Sequence, residues 1–276
     1  MGSSEGFRTR ANTRKQHEKG AVVVSGLADS AMNQEITVRK CESLGEFHAC
    51  VALQREIWGE QDLEVEPSTM FVVASLTGGQ VLGAYEGSRL VGYTMAVGGL
   101  RNGGAYLHSH MTGVHRDYRN RGVGRRLKRF QREEALGRDI RLIEWTFDPL
   151  EMRNAHFNLN RLGAICRRYL PNLYGVTTSP LHRGLATDRL VAEWYLDSPR
   201  VVAALNSELP PGPFTSSIEL PSNLEDWKTE DLPRVQGVQA TVREQFTRSF
   251  AKGYAAVAVS KAESGSAYEL VPWSEF

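Results

Sequence analysis

A loop rich in glycine and arginine, between residues 114 and 127, constrains this chain more than any other stretch, because it joins a predicted strand to a predicted helix. Gly122 and Gly124 carry no side chain where a ligand would approach the backbone. The first N–H groups of the following helix lack intrahelical partners, and the helix dipole places positive charge beside them. The stretch therefore predicts an anion site that suits a pyrophosphate. Arginine side chains supply further positive charge: Arg119, Arg121, Arg125 and Arg126.

Two better-known phosphate-binding loops do not match this stretch. A Walker loop needs Gly-Lys-Ser or Gly-Lys-Thr after its glycines, and neither follows here. The Rossmann fingerprint belongs to a parallel sheet, whereas the strands before this loop are antiparallel in pattern. A basic surface turn in front of a helix stays open as the plain structural alternative.

Hydrophobic patterning along residues 36–197 indicates a mixed α+β domain with the element order β-α-α-β-β-β-α-β-α-β-β. Ser43 and Glu46 form a capping-box pattern at the start of the first helix, and Pro67 precedes the second. Three strand patterns follow as an antiparallel meander, with a turn expected around the glycines between 98 and 104. The next elements are expected at 122–136 (helix), 141–147 (strand), 151–162 (helix), 164–169 (strand) and 189–196 (strand).

The segments that flank this domain, which we place at 34–197, differ from it in composition. Residues 1–33 are polar and rich in Ser and Gly, and we expect them to form a disordered leader. Residues 198–215 are proline-rich and are expected to form a linker. Residues 216–276 have the pattern of a small β-α-β-β accessory unit, which we expect to pack on the main domain or to mediate a homodimer.

Composition narrows the classes of function. Lys and Arg number 33 against 32 Asp and Glu, and a net charge of +1 excludes a protein that depends on a strong global field. The three cysteines form no CxxC pair and no disulfide framework, which indicates a reducing compartment. No apolar run reaches the roughly 18 residues of a membrane helix. We therefore expect a cytoplasmic protein without a membrane partner.

The motif Arg119-x-x-Gly122-x-Gly124, behind a strand that ends in Val114, resembles the acyl-CoA loop of the Gcn5-related N-acetyltransferase (GNAT) superfamily. The resemblance covers roughly residues 36–197 and implies the GNAT fold, a mixed and mostly antiparallel central sheet flanked by helices. It implies acetyl-CoA or another acyl-CoA as co-substrate and no metal. The pantetheine arm would lie between the strands at 105–114 and 141–147. The implied cofactor-binding residues are Val114, Arg119, Asn120, Arg121, Gly122, Val123, Gly124, Arg125 and Asn154.

Two histidines precede the loop on the same predicted strand. Alternate strand residues face the same side, so His108 and His110 are expected to point together, and their ordinary pKa near 6.5 suits a base. The run from His108 to Gly124 is similar to that of arylalkylamine N-acetyltransferases, which implies that His110 is the catalytic base and that His108 assists it. Two alternatives stay open: a structural histidine pair, and a His-x-His metal site without an obvious third ligand.

One position departs from the family pattern. Many members carry a Tyr four residues before the glycine that ends the second motif helix, where it serves as the acid for the leaving thiolate. Leu159 stands at that position here. Tyr169 and Tyr174 are downstream candidates for the acid, and each also has a structural interpretation.

Three further groups on these elements have both chemical and structural interpretations. Glu144, on the partner strand, is an alternative base or a solvated or ion-paired carboxylate. Cys166 is an acyl-accepting nucleophile or a small buried side chain. The oxyanion donor is expected to be a backbone N–H near Met111–Gly113, where the strands would separate.

The function that these features favour is acyl-CoA-dependent N-acyl transfer to a primary amine, on a small molecule or a protein, in a ternary complex. The missing Tyr leaves a non-catalytic acyl-CoA-binding regulatory or structural module as an alternative. A second alternative is a nucleic-acid-associated protein that uses the basic run at 115–132. Acidic neighbours such as Glu133 and the balanced net charge count against it, and we expect no nucleic-acid partner.

Overall fold

The computed structural model describes residues 35–59, 65–175, 184–209, 212–263 and 265–273. The leader expected at 1–33 lies outside the described residues. In the described residues, ten strands form one sheet in the order β1-β2-β3-β4-β5-β7-β6-β9-β10-β8. Its strand pairs are antiparallel except for β4 with β5, which are parallel. This mixed, mostly antiparallel sheet confirms the predicted fold class.

The bounds of these elements follow the chain. The strands are β1 (Ile36–Lys40), β2 (Gln80–Glu86), β3 (Arg89–Arg101), β4 (Gly104–Val114), β5 (Leu142–Phe147), β6 (Ile165–Leu170), β7 (Arg189–Tyr195), β8 (Ser216–Pro221), β9 (Tyr254–Ala262) and β10 (Gly265–Pro272). The helices are α1 (Leu44–Trp58), α2 (Ser68–Leu76), α3 (Val123–Leu136), α4 (Met152–His156), α5 (Pro199–Asn206), α6 (Leu224–Glu230) and α7 (Leu232–Ala251). Among the described residues, no helix has the length and apolar character that crossing a bilayer requires.

Helices cover both faces of the first part of the sheet. Residues of β3 divide between two apolar clusters, because a bulge at Val91 opposite β2 changes the side that the strand presents: Tyr93 packs with α1 and α2, whereas Val91 packs with α3. The capping box predicted for α1 is present, because Ser43 accepts a hydrogen bond from the Glu46 N–H and the Glu46 carboxylate accepts one from the Ser43 N–H. This packing leaves the edge of β4 that faces β5 available for a site.

The expected glycine turn between 98 and 104 is much shorter than predicted. β3 continues to Arg101, and Gly98 and Gly99 lie within the strand. A Cβ at Gly98 would lie 2.9 Å from the Thr77 carbonyl oxygen, and one at Gly99 would lie 2.5 Å from the Tyr106 ring. These glycines therefore serve close packing within the strand rather than a reversal of the chain.

The helix expected over 151–162 is divided. α4 ends at His156, and a π-helical turn continues through Phe157–Arg161. In that turn Asn160 donates to the Val259 carbonyl oxygen at 3.1 Å and accepts from the Val259 N–H at 2.8 Å. The side-chain amide of Asn160 thus fixes strand β9 through both its N–H donor and its oxygen acceptor.

The C-terminal strands β8, β9 and β10 continue the same sheet through the pairing of β6 with β9. The proline-rich segment 198–215 includes helix α5, which the sequence analysis missed. Ser198 caps this helix and Pro199 occupies its first turn, where a missing N–H costs nothing. Pro199 thus starts a helix inside the segment that was expected to form a linker.

Candidate active site

The cleft between β4 and β5 forms because the two strands separate after a short parallel contact. Along their described residues, the register has two pairs, Leu107 with Ile143 and His108 with Glu144. Just beyond these pairs β4 carries a bulge, since two residues, Ser109 and His110, oppose the single residue Ala96 of β3. A bulge bends its strand locally. The bulge therefore coincides with the point where β4 leaves β5.

The two predicted catalytic histidines come together at this bulge. The ring centroids of His108 and His110 lie 6.4 Å apart. His110 Nε2 lies 2.8 Å from the carboxylate of Glu66, which directly precedes Pro67 and α2. A carboxylate that accepts from one ring nitrogen orients the imidazole and leaves the other nitrogen to accept a proton.

His108 occupies the more enclosed position of the pair. Burial lowers its pKa below the usual value, and repulsion from the neighbouring His110 adds to the effect. Both effects favour the neutral form of His108, which can take part in hydrogen bonding without carrying charge. The pair thus combines one exposed imidazole, oriented by Glu66, with one desolvated imidazole.

A buried lysine supports the bulge from the opposite face of β4. Lys128 of α3 donates to the Ser109 hydroxyl at 3.0 Å and to the Gln131 side-chain oxygen at 2.8 Å. Its Nζ lies 4.0 Å from the centroid of the Trp145 ring and 5.7 Å from that of Trp194. Burial lowers the pKa of Lys128 to about 7, while the indole faces favour its charged form. Lys128 and Ser109 were not identified from the sequence.

The predicted phosphate loop has the backbone that an anion site needs. Asn120 and Gly122 both have positive φ, 61° and 78°, and Gly122 is the N-cap residue of α3 without a side-chain hydrogen bond. A Cβ at Gly122 would meet nothing within 4 Å, and one at Gly124 would face Val114 and Phe157 at 3.8 Å. The start of α3 therefore opens toward the end of β4, as an extended phosphate ligand requires.

The side chains of this loop point in different directions. Arg125 donates to the Leu205 carbonyl oxygen of α5, and Arg126 donates to that of Ile36 at 3.1 Å. Arg121 lies over the Tyr118 ring at 4.7 Å and 3.6 Å from Glu86. Arg119 remains exposed, with a long contact of 3.4 Å to the Val114 carbonyl oxygen. Arg125 thus contributes its backbone to the loop while its side chain holds α5.

Three further residues are predicted to bind the cofactor: Val123, Val114 and Asn154. Val123 is buried among the residues between α3 and the sheet. Val114 ends β4 opposite Gly92. Asn154 is exposed on α4. The Phe157 ring, just after α4, lies 3.8 Å from the Cβ position of Gly124, and the role of these residues toward acyl-CoA stays a prediction.

The basic run at 115–132 is used in part within the fold. Arg129 donates to the Leu205 carbonyl oxygen at 3.2 Å, and Arg132 donates to that of Leu196 at 2.6 Å. Lys128 is buried. Arg116, Arg119, Arg121, Arg126 and Arg129 remain exposed, so the absence of a nucleic-acid partner stays a prediction.

The wall of the cleft opposite the histidines carries a tyrosine. Tyr174 Oη lies 2.8 Å from Thr146 Oγ1 on β5, two residues beyond Glu144. Tyr169 donates to Asp188 at 2.6 Å and stacks on Phe246, so its hydroxyl is committed to the core. Leu159 is fully buried. Of the two tyrosines considered from the sequence, Tyr174 is the one at the cleft.

Glu144 and Cys166 are structural side chains rather than reacting groups. Glu144 accepts from Arg101 at 2.6 and 2.7 Å and from Arg168 at 2.6 Å. Burial would raise its pKa, but the two arginines outweigh burial and hold the pKa below its usual value. Cys166 is fully buried, and burial raises the pKa of its thiol well above the ordinary range. A thiol of this kind is a poor nucleophile.

The His-x-His metal interpretation finds no support in the described part of the chain. Among those residues, no group of three or more His, Cys, Asp or Glu side chains is arranged to hold an ion. The carboxylate that faces His110 contributes one further ligand atom only.

Comparison with known families identifies one domain. Residues 47–163 match the family described as Acetyltransferase (GNAT) family. The match includes β4, the loop and α4. No curated protein matches the chain in sequence.

Several solved structures resemble this one at low sequence identity. The ribosomal-protein-S18-alanine N-acetyltransferase from Escherichia coli is 12% identical, with 59% of this chain and 96% of that chain covered and a TM-score of 0.48. The putative acetyltransferase yncA from Salmonella typhimurium, solved with acetyl-CoA, is 17% identical, with coverages of 59% and 95% and a TM-score of 0.47. NAA60 from Arabidopsis thaliana, in complex with a bisubstrate analogue, is 15% identical, with coverages of 58% and 98% and a TM-score of 0.47.

Proposed function

We propose that this chain, in which residues 47–163 match the GNAT acetyltransferase family, transfers an acyl group from acyl-CoA directly to an amine in a ternary complex. The observation that carries this proposal is the relation between the phosphate loop and the cleft. The uncapped start of α3 faces the end of β4, and β4 leads back to His110 within the same strand. One ligand that lies along β4 would thus have its phosphates at the loop and its acyl group at the histidines.

The proposed reaction uses three side chains of the cleft. His110, oriented by Glu66, accepts a proton from the substrate ammonium through the ring nitrogen that does not face the carboxylate. The free amine attacks the thioester carbonyl, the C–S bond breaks, and the thiolate takes a proton from the Tyr174 hydroxyl across the cleft. The second proton that the nitrogen loses as the amide forms returns to the tyrosinate through solvent. Backbone N–H groups at the β4 bulge are suited to stabilise the oxyanion. His108, neutral and enclosed, assists through hydrogen bonding.

The phosphate loop is tested first, by calorimetric titration with acetyl-CoA. Gly122→Glu places a carboxylate at the start of α3, where electrostatic repulsion of the pyrophosphate should weaken binding by at least about 100-fold. Gly103→Glu is the matched control, because Gly103 has the same φ of 78° and also has nothing within 4 Å of its Cβ position. Gly103 lies in the β3–β4 turn, so its variant should bind acetyl-CoA as the parent does.

Turnover is tested next, by thiol release with a panel of primary amines, α-amino acids and short peptides. Amine-dependent release of CoA, lost in His110→Ala, supports the proposal. Tight acetyl-CoA binding without turnover on the whole panel would overturn it in favour of a non-catalytic binding module. An absence of acetyl-CoA binding in the folded parent would overturn both functions.

A further inference from the structure

A second cavity lies on the sheet, apart from the phosphate loop. Its volume is about 870 Å³, within the range of small-molecule pockets. Gly104 and Ala105 at the start of β4 line it, and so does Leu142 at the start of β5. The phosphate loop follows the opposite end of β4. Glu144, which is paired with His108, also lines the cavity, so the cavity begins beside the histidines and extends away from the phosphate loop.

The floor of this cavity consists of two buried carboxylates, each ion-paired with arginine side chains. Glu144 is held by Arg101 and Arg168, and Glu193 is held by Arg167 and Arg168, each at 2.6–3.2 Å. The two carboxylates are only 4% exposed, whereas the guanidinium-bearing side chains of Arg101 and Arg168 are 40% and 38% exposed. The acidic groups thus lie beneath the basic ones, and the cavity meets solvent through guanidinium groups.

The charges around the cavity are balanced in number but not in exposure. Four guanidinium groups and three carboxylates line it, and a fourth carboxylate, Asp197, pairs with Arg141 from outside the lining. Planar guanidinium groups bind carboxylates through two parallel hydrogen bonds. Because the guanidinium groups are exposed while the carboxylates of Glu144 and Glu193 are covered, a monoanion suits the cavity better than a phosphate dianion.

Aromatic side chains supply the walls. Tyr106 of β4 and Tyr195 of β7 stand beside the arginines, and Tyr254, Phe250 and Trp273 come from the C-terminal part of the chain. Such walls favour a flat apolar body next to the charged group. The C-terminal elements therefore complete a cavity that the acetyltransferase domain alone would leave open.

We propose that this cavity binds a small organic carboxylate with an aromatic body. Its carboxylate would contact the exposed guanidinium groups of Arg168 and Arg141, and its ring would lie against Tyr254 and Trp273. The proposal does not depend on acyl transfer. It gives the C-terminal strands a role in ligand binding that the fold alone does not require.

Titration of the full chain with indole-3-acetate tests the proposal, with indole-3-acetamide as the uncharged match. We expect the acid to bind with a Kd on the order of 100 µM, as suits a ligand of this size. The amide should bind at least about 10-fold more weakly. Saturating CoA should leave the affinity for the acid unchanged. Equal binding of acid and amide, absence of binding, or displacement by CoA would each overturn the proposal.

Two variants locate the bound acid. Ala105→Trp fills the cavity from an exposed position without touching the ion pairs, and it should weaken the acid by at least about 10-fold. Arg141→Gln, at a side chain 61% exposed, should weaken it by about 5-fold. Arg248→Gln is the matched control, because Arg248 is 62% exposed and also ion-paired, but lies on α7 away from the cavity lining. Unchanged affinity in folded Ala105→Trp and Arg141→Gln would place the acid elsewhere and overturn the proposal.

Discussion

The ammonium group of Lys128 lies 3.0 Å from the hydroxyl of Ser109, on the strand that carries both histidines of the cleft. Ser109 is one of the two residues that form the β4 bulge, so the lysine holds the strand where it separates from β5. An amine enclosed between two indole rings has lost its hydration, and protonation there carries a cost. Folding therefore shifts the protonation equilibrium of Lys128.

The stability of the fold should therefore depend on pH through Lys128. In the unfolded chain its amine keeps its proton up to about pH 10, whereas in the folded protein burial lowers the pKa to about 7. Between these values the unfolded state binds more protons, so the free energy of unfolding rises with pH. Relative to Lys128→Met, the parent should gain up to about 1.4 kcal/mol per pH unit from pH 7 to 10, measured by urea unfolding.

Lys228→Met is the control for this measurement. Lys228 is also buried, which alone would lower its pKa, but Glu151 and Glu225 outweigh burial and raise the pKa. Its stabilising contribution is present below about pH 10 and is lost above that value. A flat difference between the parent and Lys128→Met over pH 7–10 would show that Lys128 keeps its charge in the fold.

The pairing of His110 with Glu66 predicts unequal losses of acyl transfer. His110→Ala should lower kcat by about 10²- to 10⁴-fold, as for loss of a general base, with the KM for acyl-CoA unchanged. Glu66→Gln keeps the imidazole and removes only its orienting charge, so kcat should fall by about 10-fold and the acidic limb of the pH profile should move. His48→Ala, an exposed histidine of α1, should change neither constant.

Tyr174 is expected to protonate the leaving thiolate. Tyr174→Phe removes the hydroxyl that contacts Thr146, and kcat should fall by about 10- to 100-fold while the KM for acyl-CoA stays constant. Thr146→Ala should lower kcat by less, and Thr146→Ser should restore it. In Tyr169→Phe, stability should fall and kcat per folded molecule should stay unchanged, because that hydroxyl is bound to Asp188. An unaltered kcat in Tyr174→Phe would remove the tyrosine from the mechanism.

The arginines of the phosphate loop and of the first turn of α3 should divide into those that stabilise the fold and those that bind the ligand. Arg125→Ala breaks the hydrogen bond to Leu205, and it should lower the free energy of unfolding by about 1–2 kcal/mol, measured by thermal or urea unfolding. Its affinity for acetyl-CoA, measured by calorimetry, should stay within about 3-fold of the parent. Arg119→Ala should weaken acetyl-CoA binding and leave the free energy of unfolding nearly unchanged, because the exposed guanidinium of Arg119 is expected to contact the phosphates and makes only one long contact within the fold. A large loss of acetyl-CoA affinity in Arg125→Ala would instead assign that side chain to the ligand.

Local pattern was sufficient to predict much of the fold. The capping box at Ser43, the strand that ends in Val114, and the glycines that open α3 are all correctly predicted, because caps, alternation and positive φ depend on neighbouring residues. Helix α5 was missed because proline both ends and starts helices, and the four prolines between residues 198 and 215 favoured a linker.

What only the tertiary structure decided concerns contacts between residues distant in the chain. Spacing put His108 and His110 on one strand, but Glu66 reaches His110 from 44 residues away. The same holds for Arg101 on Glu144 and for Lys128 beneath Ser109. A charged side chain looks the same in sequence whether it faces solvent, a phosphate or a carbonyl oxygen. The packing of the sheet and the helices determines which partner the side chain meets, and desolvation at that place shifts the pKa of the side chain.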